Sequence, residues 1–326
     1  MVLKNKQKLI ITKQLLCNTD WRFEEFASLL QKQKKQVFKC LQKHHLVIIV
    51  VNNDNNKYVK VIDPKTSFEL PMQQFIAQHI NQQISHKHQQ YHIFIHSHGI
   101  KGYVYDILNY FTENDFIQSI QDKDICIFTN TGSRLPLDFT TKQNYNNIIQ
   151  QQANIIDMIV NTIAQTHRNI HLIMSGFSKG CCVNTDLLKY IHNDTPQHIQ
   201  QLTIIEEAIP VIKYILDNIC VRYTTLANII NTKNITPNIR IVLFPAEPSN
   251  TYLQKHHPIQ ATYDIIKKLN QDIVTQSKLQ QCICVLPKTH QRLSIEHTDN
   301  NFVKFIPDNN KTLLDINYCP QQKKIW

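Results

Sequence analysis

The chain has 326 residues, of which 42% are hydrophobic and 18% charged, enough apolar material for one large domain or two ordinary ones. No apolar run approaches the roughly 18 residues that a membrane-spanning helix needs; the longest, Leu46 to Val51, is strand-sized. The formal net charge of +10 comes from dispersed lysines, and aromatic residues are not interleaved with them in a recognition-module pattern, so no nucleic-acid partner is expected.

Taken in chain order, the N-terminal segment carries lysines but no compact apolar stretch with a small-residue cleavage site, so no secretory signal is expected. It also lacks acids before Asp20, as a mitochondrial presequence does, but it lacks arginine too. Residues 20–43 then read as a long amphipathic helix with Asp20 as N-cap. Its apolar side chains are Trp21, Phe23, Phe26, Leu29, Leu30, Phe38 and Leu41, and its basic run is QKQKKQVFK. This helix is expected either to pack on the domain with a solvated basic face or to dock a protein partner or membrane surface. Residues 46–52 and 57–63, joined by NNDNN, read as a β-hairpin.

Further strands are predicted over 91–97, 124–129, 170–175, 202–207, 239–244 and 281–286, with helices over about 103–112, 141–167, 178–193, 210–229 and 258–278. The later strands are nearly continuously apolar, as parallel strands buried on both faces should be. Strand–helix alternation means a mostly parallel sheet with helices on both faces. The domain plan is therefore an N-terminal extension over 1–45, one α/β domain over 46–326, and a small lid over 208–235. Nine cysteines lie scattered without a C-x-x-C pair, several inside apolar runs. They read as buried thiols in a reducing intracellular compartment, cytoplasmic or mitochondrial.

The chain contains only five glycines, and two of them, Gly176 and Gly180, bracket Ser178 in GFSKG. The predicted strand before and helix after make this the context of a G-x-S-x-G nucleophile elbow. There the serine occupies a strained backbone conformation that projects its hydroxyl, and side chains two residues to either side would collide with the neighbouring strand and helix. The other glycines, Gly99, Gly102 and Gly132, follow the strands 91–97 and 124–129. All five thus fall at strand C-termini, the rim where open α/β sheets bind ligands. Neither G-x-x-x-x-G-K-[ST] nor G-x-G-x-x-G occurs, so no nucleotide cofactor is expected. His96 and His98 form an H-x-H pair without a second ligand cluster, so no metal is expected either.

Acyl transfer at Ser178 needs two N–H donors for the oxyanion, and these are assigned to Lys179 and Ile100. It also needs a base from the end of the chain and an acid between. His297 is preferred as base over His290 because it hangs on the longer loop after the last strand. Glu247 is the acid in the usual position, with Glu206, beside Glu207 at the end of its strand, as the alternative. Cys181 and Cys182, in the first turn of the following helix, read as packed thiols rather than nucleophiles.

Together these residues resemble the α/β-hydrolase superfamily: HSHG after the third strand, GFSKG after the fifth, a late acid and a later histidine, over about residues 46–305. More narrowly, GFSKGCCVNTDLL and LSIEHTDNNF are similar to the poorly characterised mitochondrial family of the human chromosome 2 open reading frame 69 protein. That resemblance implies His297 as base and puts the family's aspartate at Glu206. The family's F-P-G-D loop is HSHG here, and its glycine-rich stretch is EEAIP. The implied activity is that of a serine hydrolase of esterase, lipase or thioesterase type, cleaving an ester, thioester or amide of an acyl substrate. The alternative is a non-catalytic binding or scaffold protein of the same fold.

Overall fold

The computed structural model describes residues 10–53, 56–80, 91–99, 103–111, 124–132, 139–165, 169–192 and 194–207. It also describes the backbone course of strands at 238–244, 283–285, 294–297 and 303–306. The candidates Ile100, Gly102, Glu247 and His290, and the expected lid and helices beyond residue 207, lie outside these residues.

The strands are β1 (Asp20–Arg22), β2 (Val47–Asn53), β3 (Asn56–Ile62), β4 (Tyr91–Ser97), β5 (Ile125–Thr129), β6 (Ile170–Phe177), β7 (Ile199–Glu207), β8 (Asn238–Phe244) and β9 (Ile283–Val285). They form one sheet in the order β1-β3-β2-β5-β4-β6-β7-β8-β9. From β5 to β9 every pairing is parallel, whereas β2 joins β5 antiparallel and continues into the hairpin with β3. The helices are α1 (Lys13–Asn18), α2 (Phe23–His44), α3 (Glu69–Ile80), α4 (Tyr103–Phe111), α5 (Phe139–Ala164) and α6 (Lys179–Tyr190). The fold is therefore α/β, with a mostly parallel central sheet covered by helices on both faces, as the strand–helix alternation implies.

Period-two alternation within the strands assigns each side chain to a layer. Val47, Ile49 and Val51 of β2 join α3, α5 and α6 in one core, while Ile48 and Val50 join α1, α2 and α4 in the other. Because both faces are covered, the strands can be apolar throughout, which is why they stand out in the sequence. On α5 the buried positions Ile149, Ala153, Ile156, Val160 and Ile163 recur at helical spacing.

Residues 20–44, set apart in the sequence as part of an extension, belong to the sheet and its cover. Asp20 is not the helix N-cap: it lies in β1, paired with Lys60 of β3 by register and by an ion pair. The helix begins at Phe23, and Glu25 reaches back to accept from the Arg22 N–H at 3.3 Å. Its apolar residues Phe23, Phe26, Leu29, Leu30, Val37, Phe38 and Leu41 are all buried against the sheet, each contributing about 1.5–3 kcal/mol. Its exposed face over 31–43 presents lysines and glutamines. The apolar side that was available to dock a partner is thus committed to the domain's own core.

Candidate active site

The strand order reverses direction between β4 and β6. The connection after β4 runs toward β5 on one side, and the connection after β6 runs toward β7 on the other. Adjacent strands whose connections diverge leave an opening at their carboxyl ends, where open α/β sheets bind ligands. Here those strands are β4 and β6, paired so that Ser97 faces Gly176 and, one strand further, Gly176 faces Glu206. Ser178 follows directly, between β6 and α6.

Ser178 has φ 52° and ψ −114°. That is the backbone of the first central residue of a type II′ turn, which glycine adopts freely and other residues adopt at a cost of about 1–3 kcal/mol. Three glycines hold it there. A Cβ on Gly180 would lie 1.8 Å from the carbonyl oxygen of Ser97, and one on Gly176 would lie 2.5 Å from the backbone carbon of Gly180. Gly99, just past β4, would meet the Phe177 ring at 2.9 Å. The end of β4, the end of β6 and the first turn of α6 therefore touch through bare backbone at Gly176 and Gly180, where larger residues are excluded, while Gly99 leaves room for the Phe177 ring. Ser178 is only 6% exposed and sits under its neighbours, with the N-terminus of α6 beginning at the next residue, where backbone N–H groups favour negative charge.

Glu206, the penultimate residue of β7, lies beside this point and is fully buried. His96 and His98, at the end of β4, are also buried; His96 lies near the Phe94 and Phe128 rings, and His98 Nδ1 is 2.6 Å from the Gly99 carbonyl oxygen. Cys181 is fully buried and its thiol donates to the Gly176 carbonyl at 3.3 Å, which makes it part of the elbow's packing. His297 ends β10 (Ser294–His297), a strand paired antiparallel with β11 (Val303–Ile306) in a separate two-stranded sheet. The sequence predicts a loop there, whereas the structure pairs S-I-E-H with V-K-F-I as a ladder.

The loop after β5 contains Gly132, at φ +76°, and a network of buried hydrogen bonds around Asn130. The Asn130 amide donates to the Leu41 carbonyl at 2.9 Å and to that of Leu46 at 3.4 Å, and its oxygen accepts from the Gly132 N–H at 3.2 Å. It thereby caps the end of α2, where His45 stands in the left-handed region at φ 53°. Gln152 of α5 clamps the Asn130 backbone from the other side, at 3.1 and 2.8 Å. Lys179, also buried, sends its Nζ to the Thr131 and Gly132 carbonyls at 3.3 and 2.8 Å. Burial lowers this ammonium to about 8, partly opposed by Cys182. The sequence signal for the loop is Asn-x-Gly at a strand end, a turn composition; nothing local signals the lysine's direction. Asn130→Ala is expected to cost about 2–3 kcal/mol in chemical denaturation, because it strands buried carbonyls and an N–H at once.

No helix among the described residues is long and apolar enough to cross a membrane. No protein-family model and no curated protein matches the sequence. Among solved structures, the chain is similar to the enterochelin esterase from Shigella flexneri, at 9% identity and a TM-score of 0.28. That match covers 62% of this chain and 47% of the esterase, so the chain spans less than half of that relative's length.

Proposed function

We propose that the chain is a serine hydrolase of the α/β-hydrolase type, acting on an ester, thioester or amide through an acyl-enzyme on Ser178. The observation that carries this reading is the strained backbone of Ser178, with Gly176 and Gly180 at points where an added Cβ would lie 2.5 and 1.8 Å from backbone atoms. A fold has no structural need to hold a serine in a conformation that glycine would take without cost, whereas a nucleophile must stand clear at the sheet's rim. Ser178 attacks the carbonyl; a histidine, His297 ahead of His290, takes the proton and returns it to the leaving group. Glu206 is the acid that orients the imidazole, supported by its burial and its register beside Gly176, with Glu247 as the alternative. The Lys179 and Ile100 N–H groups stabilise the oxyanion.

A non-catalytic binding role for the same architecture is favoured by one observation, the 6% exposure of Ser178. Hydrolysis of short-chain p-nitrophenyl esters and acyl thioesters decides between them. The expected result is turnover by the wild type and its loss in Ser178→Ala; equal rates in the two proteins overturn the hydrolase reading.

A further inference from the structure

The residue after the proposed nucleophile has a second connection, through its side chain. Lys179 is 1% exposed, and among the described residues no carboxylate pairs with its ammonium. Its two acceptors are main-chain carbonyls of the loop after β5, and that loop is itself fixed by Asn130 against α2 and by Gln152 against α5. Burying an ammonium on two carbonyls and the face of the Tyr145 ring, with no carboxylate among the described residues, costs stability that an apolar side chain of similar length would not. A charge kept at such a cost beside a candidate active site points to use.

Resting on the reading of Ser178 as nucleophile, we propose that Lys179 is a positioning residue. Its ammonium, gripped by the Thr131 and Gly132 carbonyls, fixes the Lys179 main-chain N–H that stabilises the oxyanion. Donor and anchor belong to one residue, so the two side-chain bonds tie the start of α6 to a loop held from two further sides. This limits the drift of the N–H as negative charge builds on the substrate oxygen, where small misplacements are costly. The grip is charge-assisted, and a neutral amine donates more weakly.

Several titratable groups face the ammonium. They are Cys182 on α6 and Tyr145 on α5, whose ring centre is 5.8 Å from Nζ and whose hydroxyl donates to Asp186 at 2.8 Å. His45, at the end of α2, is kept below its ordinary pKa first by burial and then by Lys65 and Lys179. The folded Lys179 pKa of about 8 lies below the ordinary 10.5. Below pH 8 both folded and unfolded chains carry the proton, and the cost of burial is fully present. Between the two values the unfolded chain binds more protons, so Lys179's contribution to stability rises with pH. Over the same range the grip loses its charge, so reactivity at Ser178 falls while this part of the stability improves, a divergence that unfolding would not produce.

The test is the rate at which a fluorophosphonate labels Ser178, followed from about pH 7 to about pH 9.5, with folding monitored by circular dichroism. The wild type is expected to slow as Lys179 deprotonates. Lys179→Met is expected to label about 10-fold more slowly at neutral pH and to show no such decline. Lys179→Arg, which keeps its charge throughout, is expected to retain most of the rate and to lose the alkaline decline. A Lys179→Met protein with the wild-type rate and profile overturns the proposal. If that variant does not fold, identical profiles for the wild type and Lys179→Arg overturn it instead. A wild type unlabelled at Ser178 at every pH overturns the hydrolase reading itself, and this inference with it.

Discussion

Gly180→Ala is expected to cost about 3 kcal/mol or more and to abolish any chemistry at Ser178. The new methyl would have to occupy a point 1.8 Å from the Ser97 carbonyl oxygen, and that obstacle is backbone, with no side chain to swing aside. Relief requires either β4 or α6 to move. The first breaks the Ser97–Gly176 pairing of the sheet, and the second rotates the N–H proposed to hold the oxyanion. Overpacking of a well-packed site usually costs about 1–3 kcal/mol, and a main-chain clash lies at or above the top of that range. Chemical denaturation measures the stability loss. A Gly180→Ala protein within about 1 kcal/mol of wild type would show that the close approach of α6 to β4 is not as described.

Ser178→Gly is expected to move activity and stability in opposite directions. Ester hydrolysis falls by about 10⁴-fold or more, as when a nucleophile is removed from a triad. Stability rises by about 1 kcal/mol, because a backbone at φ 52° and ψ −114° costs glycine nothing. The gain is smaller than the strain released, since glycine also loses more freedom on folding. Ser178→Ala, which removes the hydroxyl but keeps a Cβ, loses the same activity without the gain. Thermal or chemical unfolding of the three proteins separates the two effects: the ranking Gly above Ala and Ser identifies strain held at the nucleophile's position.

The parts of this architecture that were legible in the sequence are those where one physical demand acts alone. Strands β2, β4, β5 and β6 are mostly apolar because both faces are covered, and α5 carries its buried residues at helical spacing. The glycines around Ser178 were legible because contacts between bare backbones admit no other residue. Elements shaped by several weak demands were not legible. The three residues of β1 form a strand only because β3 offers a free edge and Lys60 a partner for Asp20; locally, an aspartate before an amphipathic run signals a helix cap. Helix α3 buries Met72, Phe75 and Ile76, but Pro71 in its first turn and its glutamines obscure the pattern. The grip of Lys179 on the β5 loop joins residues 47 and 48 positions apart, and neither segment's own pattern records the other.

The central claim is that Ser178 is an activated nucleophile, and covalent labelling tests it most directly. Intact-mass and peptide mapping after exposure to a fluorophosphonate should find one adduct, on the peptide carrying Ser178, and none in Ser178→Ala. An unlabelled wild type, or an adduct that survives Ser178→Ala unchanged, would contradict the account.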